Sequence, residues 1–213
     1  MNHGISHLDS HHQVKRVKTD IDHTVNRFDM NDAWGDAMDA KADTTIRLAF
    51  ENINGLGFDI SSVWKHNRFV EIAKEYAFDI VGWAEVNTNW KLTKYHQRIR
   101  ERLKEGHWDK LAINTAHNTN EKLHRYQPGG CSMIAFDQFA FRVASSGSDR
   151  FGLGRWTWQL IRGKAMNTRI ITTYRPCKSN RDDSNTAYAQ QRRYFHYIAR
   201  EEICPRQAFL RDL

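Results

Sequence analysis

The 213-residue chain carries 32 Lys and Arg against 25 Asp and Glu, a net charge of +7, with seven Trp, eleven Phe and seven Tyr; that is enough bulk for the core of one domain, and the charge favours polyanionic partners such as nucleic acid or phospholipid head groups. Cys131, Cys177 and Cys204 are widely spaced with no CxxC pair, which argues against a zinc-finger or disulfide-scaffold class and makes a reducing, intracellular compartment the default. No apolar run approaches the roughly 18 residues that span a bilayer, and the N-terminal stretch lacks the apolar segment of a secretory signal, so a soluble protein is expected, with no clear signal for the nucleus.

Residues 1–43 hold eight Asp, no Glu and five Lys plus Arg, together with five of the eleven His. Their local charge is −3, which leaves +10 on the remaining 170 residues. Without sustained apolar periodicity this stretch reads as a disordered leader. It contains Asp20-Ile-Asp22-His-Thr24, a match to a DxDxT nucleophile motif, but the preceding Val-Lys-Arg-Val-Lys-Thr is too polar for the buried strand such a motif ends. The cluster His3, His7, His11 and His12 reads as a His-rich tail sooner than as a metal site.

Order is expected from Thr44, where residues 44–50 alternate as a strand does, followed by a loop over 52–57 and a helix from Val63 to Tyr76. Residues 78–84 form a short apolar run suited to a buried strand, and Glu85 stands at its end. A helix is expected over 92–105 and irregular chain over 106–127. Gly129-Gly130 precede a strand over 131–136, with Phe139–Ser145 as its hairpin partner, and further strands cover 157–162 and 168–174. A long amphipathic helix runs from Thr186 to Ile203, and after Cys204-Pro205 a second helical pattern carries the stripe Phe209, Leu210 and Leu213. That stripe either docks on the sheet or, as expected here, lies uncovered.

Polar groups recur at strand ends: Asn52 and Asn54, then Glu85, then Tyr174 and Arg175. Strand ends are where α/β folds build sites. A lone carboxylate there serves equally to cap a helix or to meet a surface lysine, Tyr174 before Arg-Pro also suits a plain strand terminus, and Arg155-Trp156 suits a simple stack.

The run Phe-Glu-Asn52-Ile-Asn54-Gly55-Leu56, the later Phe-Asp79-Ile-Val-Gly-Trp-Ala-Glu85, then Gly129-Gly130 and Ile-Thr-Thr-Tyr174-Arg175-Pro176 resemble, in order and spacing, four motifs of the endonuclease/exonuclease/phosphatase family. The resemblance spans roughly residues 44–177. It implies an α/β fold of DNase I type, a two-layer β-sandwich flanked by helices, with residues 44–213 as a partial domain. It also implies a Mg²⁺-dependent phosphodiester hydrolase in which Glu85 holds Mg²⁺, or Mn²⁺ in its place, with Asn54 near the metal. By the same resemblance Asn52 and Tyr174 are catalytic residues that contact the phosphate, and Arg175 adds a guanidinium to it. Asn54 brings no charge, so metal binding is expected to be weak.

Two departures are tolerable: Glu51 where an aromatic residue is common, and Val86 where Thr is common. A third bears on activity. The family continues with a Gly-Asp-x-Asn strand, an Asp and a Ser-Asp-His element that supply base, water placement and charge stabilisation; none occurs here, and nothing places His196 in the site. The expectation is therefore a truncated, inactive nuclease-type domain whose second sheet is incomplete and whose exposed core promotes self-association. A non-catalytic nucleic-acid-binding module, or a member acting on phospholipid, are the alternatives.

Overall fold

A computed structural model of the chain describes residues 40–121, 126–179 and 185–213. The DxDxT run and the four-histidine cluster lie outside them, as does the leader up to residue 39. Ala40–Leu213 groups as one unit by its contacts.

Strand β2 (Ile80–Ala84) is buried at every position, the condition for a strand covered on both faces and the reason it reads as a continuous apolar run. Strand β1 (Leu48–Asn52) lies parallel to it, from Leu48 opposite Ile80 to Asn52 opposite Ala84. Between them runs helix α1 (Val63–Glu75). Helix α2 (Thr93–Lys104) follows β2, and β3 (Leu111–Ala116) and β4 (Cys131–Phe136) complete a four-stranded sheet in the order β1-β2-β4-β3. A short helix, α3 (Asp137–Arg142), leads to a second sheet of three antiparallel strands, β5 (Val143–Ser148), β6 (Trp156–Arg162) and β7 (Asn167–Thr173). Helices α4 (Ala187–Tyr197) and α5 (Pro205–Asp212) end the chain.

The expected two-sheet α/β arrangement holds, with the second sheet the smaller. Period-two alternation builds both layers. Val81, Trp83, Ile134 and Phe136 pack with Tyr95, Ile99 and Leu103 on the helix side, while Ile80, Met133 and Ala135 meet Phe139 and Ile161 between the sheets. At Gly82 the sheets come so close that a Cβ would collide with Thr172. Polar stitches cross the same gap: the Asn114 amide donates to Gly147 O at 2.8 Å and Thr157 Oγ1 at 2.6 Å, and Gln159 Nε2 donates to Ala112 O at 2.9 Å. Among the described residues no helix is long and apolar enough to cross a membrane.

Four local expectations need correction. The first strand begins at Leu48, four residues late, because the Arg47 backbone is taken up elsewhere: its N–H donates to Asp79 Oδ2 at 2.7 Å and its carbonyl accepts from Asp79 N–H at 2.9 Å. Strand β3 lies inside the stretch read as irregular, its apolar alternation masked by the bridging Asn114. Phe139–Ser145 is not the hairpin partner of β4. Asp137 takes a positive φ of 42° and accepts from Asp109 N–H at 2.7 Å, which ends β4; the chain then turns through α3 and crosses to the other sheet as β5, paired with β6.

The long C-terminal helix stops at Tyr197, where Ala199 adopts φ 50° and Arg200 N–H closes back on Phe195 O at 3.0 Å. Of the terminal stripe, Phe209 is buried edge-on against Trp156, whereas Leu210 and Leu213 are exposed, so docking holds for the first and exposure for the other two. The Arg155 guanidinium does stack on Trp156, 4.4 Å from the ring centroid, but it also bridges two buried carboxylates, Asp149 and Asp212.

Candidate active site at the strand ends

Four chain segments present their ends at one edge of the sandwich: the C-terminal ends of β1, β2 and β7, and the N-terminal end of β4 before Cys131. Glu85 leaves β2 with φ 56°, the left-handed region that costs a non-glycine residue on the order of 1–2 kcal/mol. Its backbone is held from both sides. Gly55 N–H donates to Glu85 O at 2.8 Å, Leu56 N–H to Val86 O at 2.9 Å, and Asn87 N–H to Gly129 O at 2.8 Å. The strain thus falls on the residue whose carboxylate is half-buried at the centre of the site.

Neutral groups surround that carboxylate. Asn52 Nδ2 donates to Glu85 Oε2 at 2.9 Å, and the Tyr174 phenol hydrogen-bonds to Glu85. No salt bridge reaches Glu85 among the described residues. Asn52 Oδ1 accepts from Asn54 N–H at 3.2 Å, so the amide that touches Glu85 also ties down the following turn, where Asn54 has φ 42° and Gly55 φ 93°. Burial, then the charge of Glu85, raises the Tyr174 phenol well above the ordinary tyrosine range, and the hydrogen bond to Glu85 adds to this. Tyr174 thus keeps its O–H at neutral pH and donates it. Burial and Glu85 raise Tyr126 in the same direction.

Gly129 explains how Tyr174 gets there. Its φ is 80°, which favours glycine, and a Cβ on it would lie 3.1 Å from Tyr174 Cε1 and 3.0 Å from Ala187 Cβ, crowding the ring by a few tenths of an ångström. Its N–H donates to Asn87 Oδ1 at 2.8 Å.

A pocket lined by Glu85, Asn87, Tyr126, Tyr174, Cys177 and Lys178, among others, has a volume of about 350 Å³. Asn54 lines a neighbouring pocket that shares Asn87 and Tyr126 with the first. The structure thus brings Asn52, Glu85 and Tyr174 together, sets Asn54 one pocket away, and leaves Arg175 exposed and outside the pocket lining. Lys178, three residues on, supplies the pocket's cation instead. Asn87, Tyr126 and Lys178 were not singled out from sequence. Asn87 had a usable signal, lying two residues beyond Glu85 at a strand exit; Tyr126 sits in a stretch without periodicity and had none.

Among the described residues no group of three His, Cys, Asp or Glu side chains is placed to hold a metal, and Glu85 is the one carboxylate that lines this pocket. That donor set fits Mg²⁺ or Mn²⁺ bound jointly with a phosphate, since such ions are held by one or two carboxylates, substrate oxygens and water.

No family model matches this sequence, and no curated protein matches it. The chain is similar to several solved structures. One is an endonuclease/exonuclease/phosphatase family protein from Leptotrichia buccalis, at 12% identity and TM-score 0.41, covering 67% of this chain and 58% of that one. A truncated TDP2 from Caenorhabditis elegans is similar at 16% identity and TM-score 0.39, covering 72% and 53%. A β-hairpin deletion mutant of beta toxin from Staphylococcus aureus gives 11% identity and TM-score 0.38, covering 74% and 62%. The chain spans between 53% and 62% of these three structures.

Proposed function

We propose that the strand-end site belongs to a divalent-cation-dependent, phosphodiester-directed domain of endonuclease type, and that this chain engages its substrate without hydrolysing it. The observation that supports this reading is the half-buried Glu85 carboxylate, partnered by the neutral Asn52 amide and Tyr174 phenol and by no cation among the described residues. A carboxylate so placed repels a phosphate unless a metal ion stands between them. Bound there, Mg²⁺ would polarise a phosphoryl oxygen as a Lewis acid.

The chain's own groups have distinct tasks in this reading. Glu85 holds the cation. Asn52 and Tyr174 fix the carboxylate's orientation, and the second amide N–H of Asn52 is left to donate toward a phosphate. Lys178 attracts the anion from the pocket wall. Asn54 and Arg175 are at most peripheral contributors. Among the described residues neither a histidine nor a second carboxylate lines the pocket to take a proton from water. General-base assistance is typically worth about 10²–10⁴ in rate, so turnover is expected to be negligible.

The test has two arms. Labelled DNA should bind more tightly with Mg²⁺ than with chelator, Glu85→Ala should abolish that difference, and plasmid should remain un-nicked. Metal-independent binding unchanged by Glu85→Ala would replace this reading with a plain nucleic-acid-binding module, which the +10 charge of residues 44–213 independently favours. Nicking lost in Glu85→Ala would show a working nuclease.

A further inference from the structure

Asn185 stands on the wall of the Glu85 pocket, just before Thr186, the N-cap of α4. An exposed asparagine there can offer a phosphate either its oxygen or its NH₂ group, and only the second attracts an anion. A row of buried amides behind it decides which one it offers.

The row starts at a group with a single role. The backbone N–H of Asn120 can only donate, and it donates to Asn118 Oδ1 at 3.0 Å. Asn118 Nδ2 is thereby turned the other way, where it donates to Gln190 Oε1 at 3.0 Å. Gln127 Nε2 donates to the same oxygen at 2.8 Å. With its oxygen facing two donors, Gln190 turns Nε2 toward the pocket wall, and Nε2 donates to Asn185 Oδ1 at 2.9 Å. Reversing any of these amides would set donor against donor or oxygen against oxygen. Asn118, Gln127 and Gln190 are 2%, 1% and 2% exposed, so water cannot repair such a mismatch.

The polarity fixed at Asn120 thus reaches the pocket. Asn185 has its oxygen committed to Gln190, and its Nδ2 bonds nothing among the described residues. Asn87, which lines the same pocket, is held by the same device, its Oδ1 accepting the Gly129 N–H at 2.8 Å. Two amides with their NH₂ groups left over, beside the Lys178 ammonium, make a donor set suited to a phosphate.

We propose that Asn185 donates to a phosphate of nucleic acid bound in this pocket, and that Gln190, buried behind it, is the positioning residue that aims it. The inference rests on the reading that the pocket takes a phosphodiester.

Asn185→Asp keeps the acceptor that Gln190 needs and replaces only the pocket-facing NH₂ by an anionic oxygen. It should weaken binding of labelled DNA in Mg²⁺ at least tenfold (~1.4 kcal/mol), and Asn185→Ala should weaken it less. In Gln190→Glu the carboxylate, kept ionised by three amide donors, can only accept, so Asn185 must rotate and offer the pocket its oxygen. Affinity should then fall about tenfold, whereas the same substitution in an Asn185→Ala background should change nothing. A loss that persists in that background, or a lowered melting temperature with unchanged affinity, overturns the positioning role. Should Gln190→Glu unfold, the side-chain amide protons of Asn185 decide: in the parent chain their signals should shift as DNA is added. Unmoved signals, or an Asn185→Asp chain that binds as the parent does, overturn the proposal. Repeating Asn185→Asp in Glu85→Ala without metal separates this inference from the cation site. Weakening there upholds Asn185 even if Mg²⁺ has no effect on the parent, and Mg²⁺-dependent binding indifferent to Asn185→Asp removes this inference alone.

Discussion

Arg155 offers the sharpest prediction about what holds the fold together. Its side chain is fully buried, with Nε and Nη2 donating to Asp149 at 2.6 and 2.9 Å and Nη1 to Asp212 Oδ2 at 2.6 Å; Asp212 in turn accepts from Arg200 at 2.6 and 2.8 Å. Phe151, Trp156 and Phe195 enclose the guanidinium. In Arg155→Met, Asp212 keeps Arg200, but Asp149, 1% exposed, keeps only the Phe151 N–H at 3.0 Å. Stranding one member of a buried pair costs about 3–5 kcal/mol, a large part of the roughly 5–15 kcal/mol that holds a domain together. At about 2–4 °C per kcal/mol for a domain of this size, the melting temperature should fall by roughly 6–20 °C. Asp149→Leu combined with Arg155→Met removes both charges and should recover much of the loss. Thermal unfolding followed by circular dichroism decides it. A single variant melting within about 2 °C of the parent, or a double variant no better than the single, would refute the buried-pair argument.

Two further outcomes rest on particular residues. Gly55 and Gly129 both have positive φ, 93° and 80°, but only at Gly129 would a Cβ press on Tyr174 and Ala187, whereas at Gly55 the nearest atom is Asn87 Nδ2 at 3.6 Å. Gly129→Ala should therefore destabilise by about 2 kcal/mol or more and Gly55→Ala by about 1 kcal/mol in denaturant titrations, and equal losses would contradict the packing account. Burial, followed by the charges of His96 and Lys91, lowers the His117 pKa from 6.5 to about 4. Between those values the unfolded chain binds more protons than the folded one, so stability is complete above pH 6.5 and falls as pH drops toward 4. His117→Gln should flatten that slope in melts from neutral pH to pH 5, and an unchanged slope would assign it to other groups.

Where one face of a strand or helix decides its neighbours, the sequence was readable. β2 is legible as a closed apolar run that stops at a carboxylate, and α1 and α2 as amphipathic helices, because burial on both faces or on one stripe leaves a periodic trace. The trio Asn52, Glu85 and Tyr174 was legible for the same reason, each standing where such a run ends. What failed depends on contacts distant in sequence. Asn114 hides β3 because its amide serves the other sheet, Asp137 ends β4 through bonds to Asp109 and Lys110, and α4 stops at an alanine in the left-handed region where a glycine would have announced it. Arg155 looked like a stacking residue; its partner Asp212 lies 57 positions away. Arg175 adjoins Tyr174 in sequence, yet an extended chain turns neighbours to opposite sides and leaves it outside the pocket.

Paramagnetic broadening by Mn²⁺ tests the central claim most directly, because it reports where a cation sits without requiring turnover. In amide spectra the signals of Asn52, Glu85, Asn87 and Tyr174 should fade first as Mn²⁺ is added, Mg²⁺ should restore them, and Glu85→Gln should leave them sharp. Broadening that begins elsewhere, or that persists at these residues in Glu85→Gln, would contradict a cation site built on Glu85.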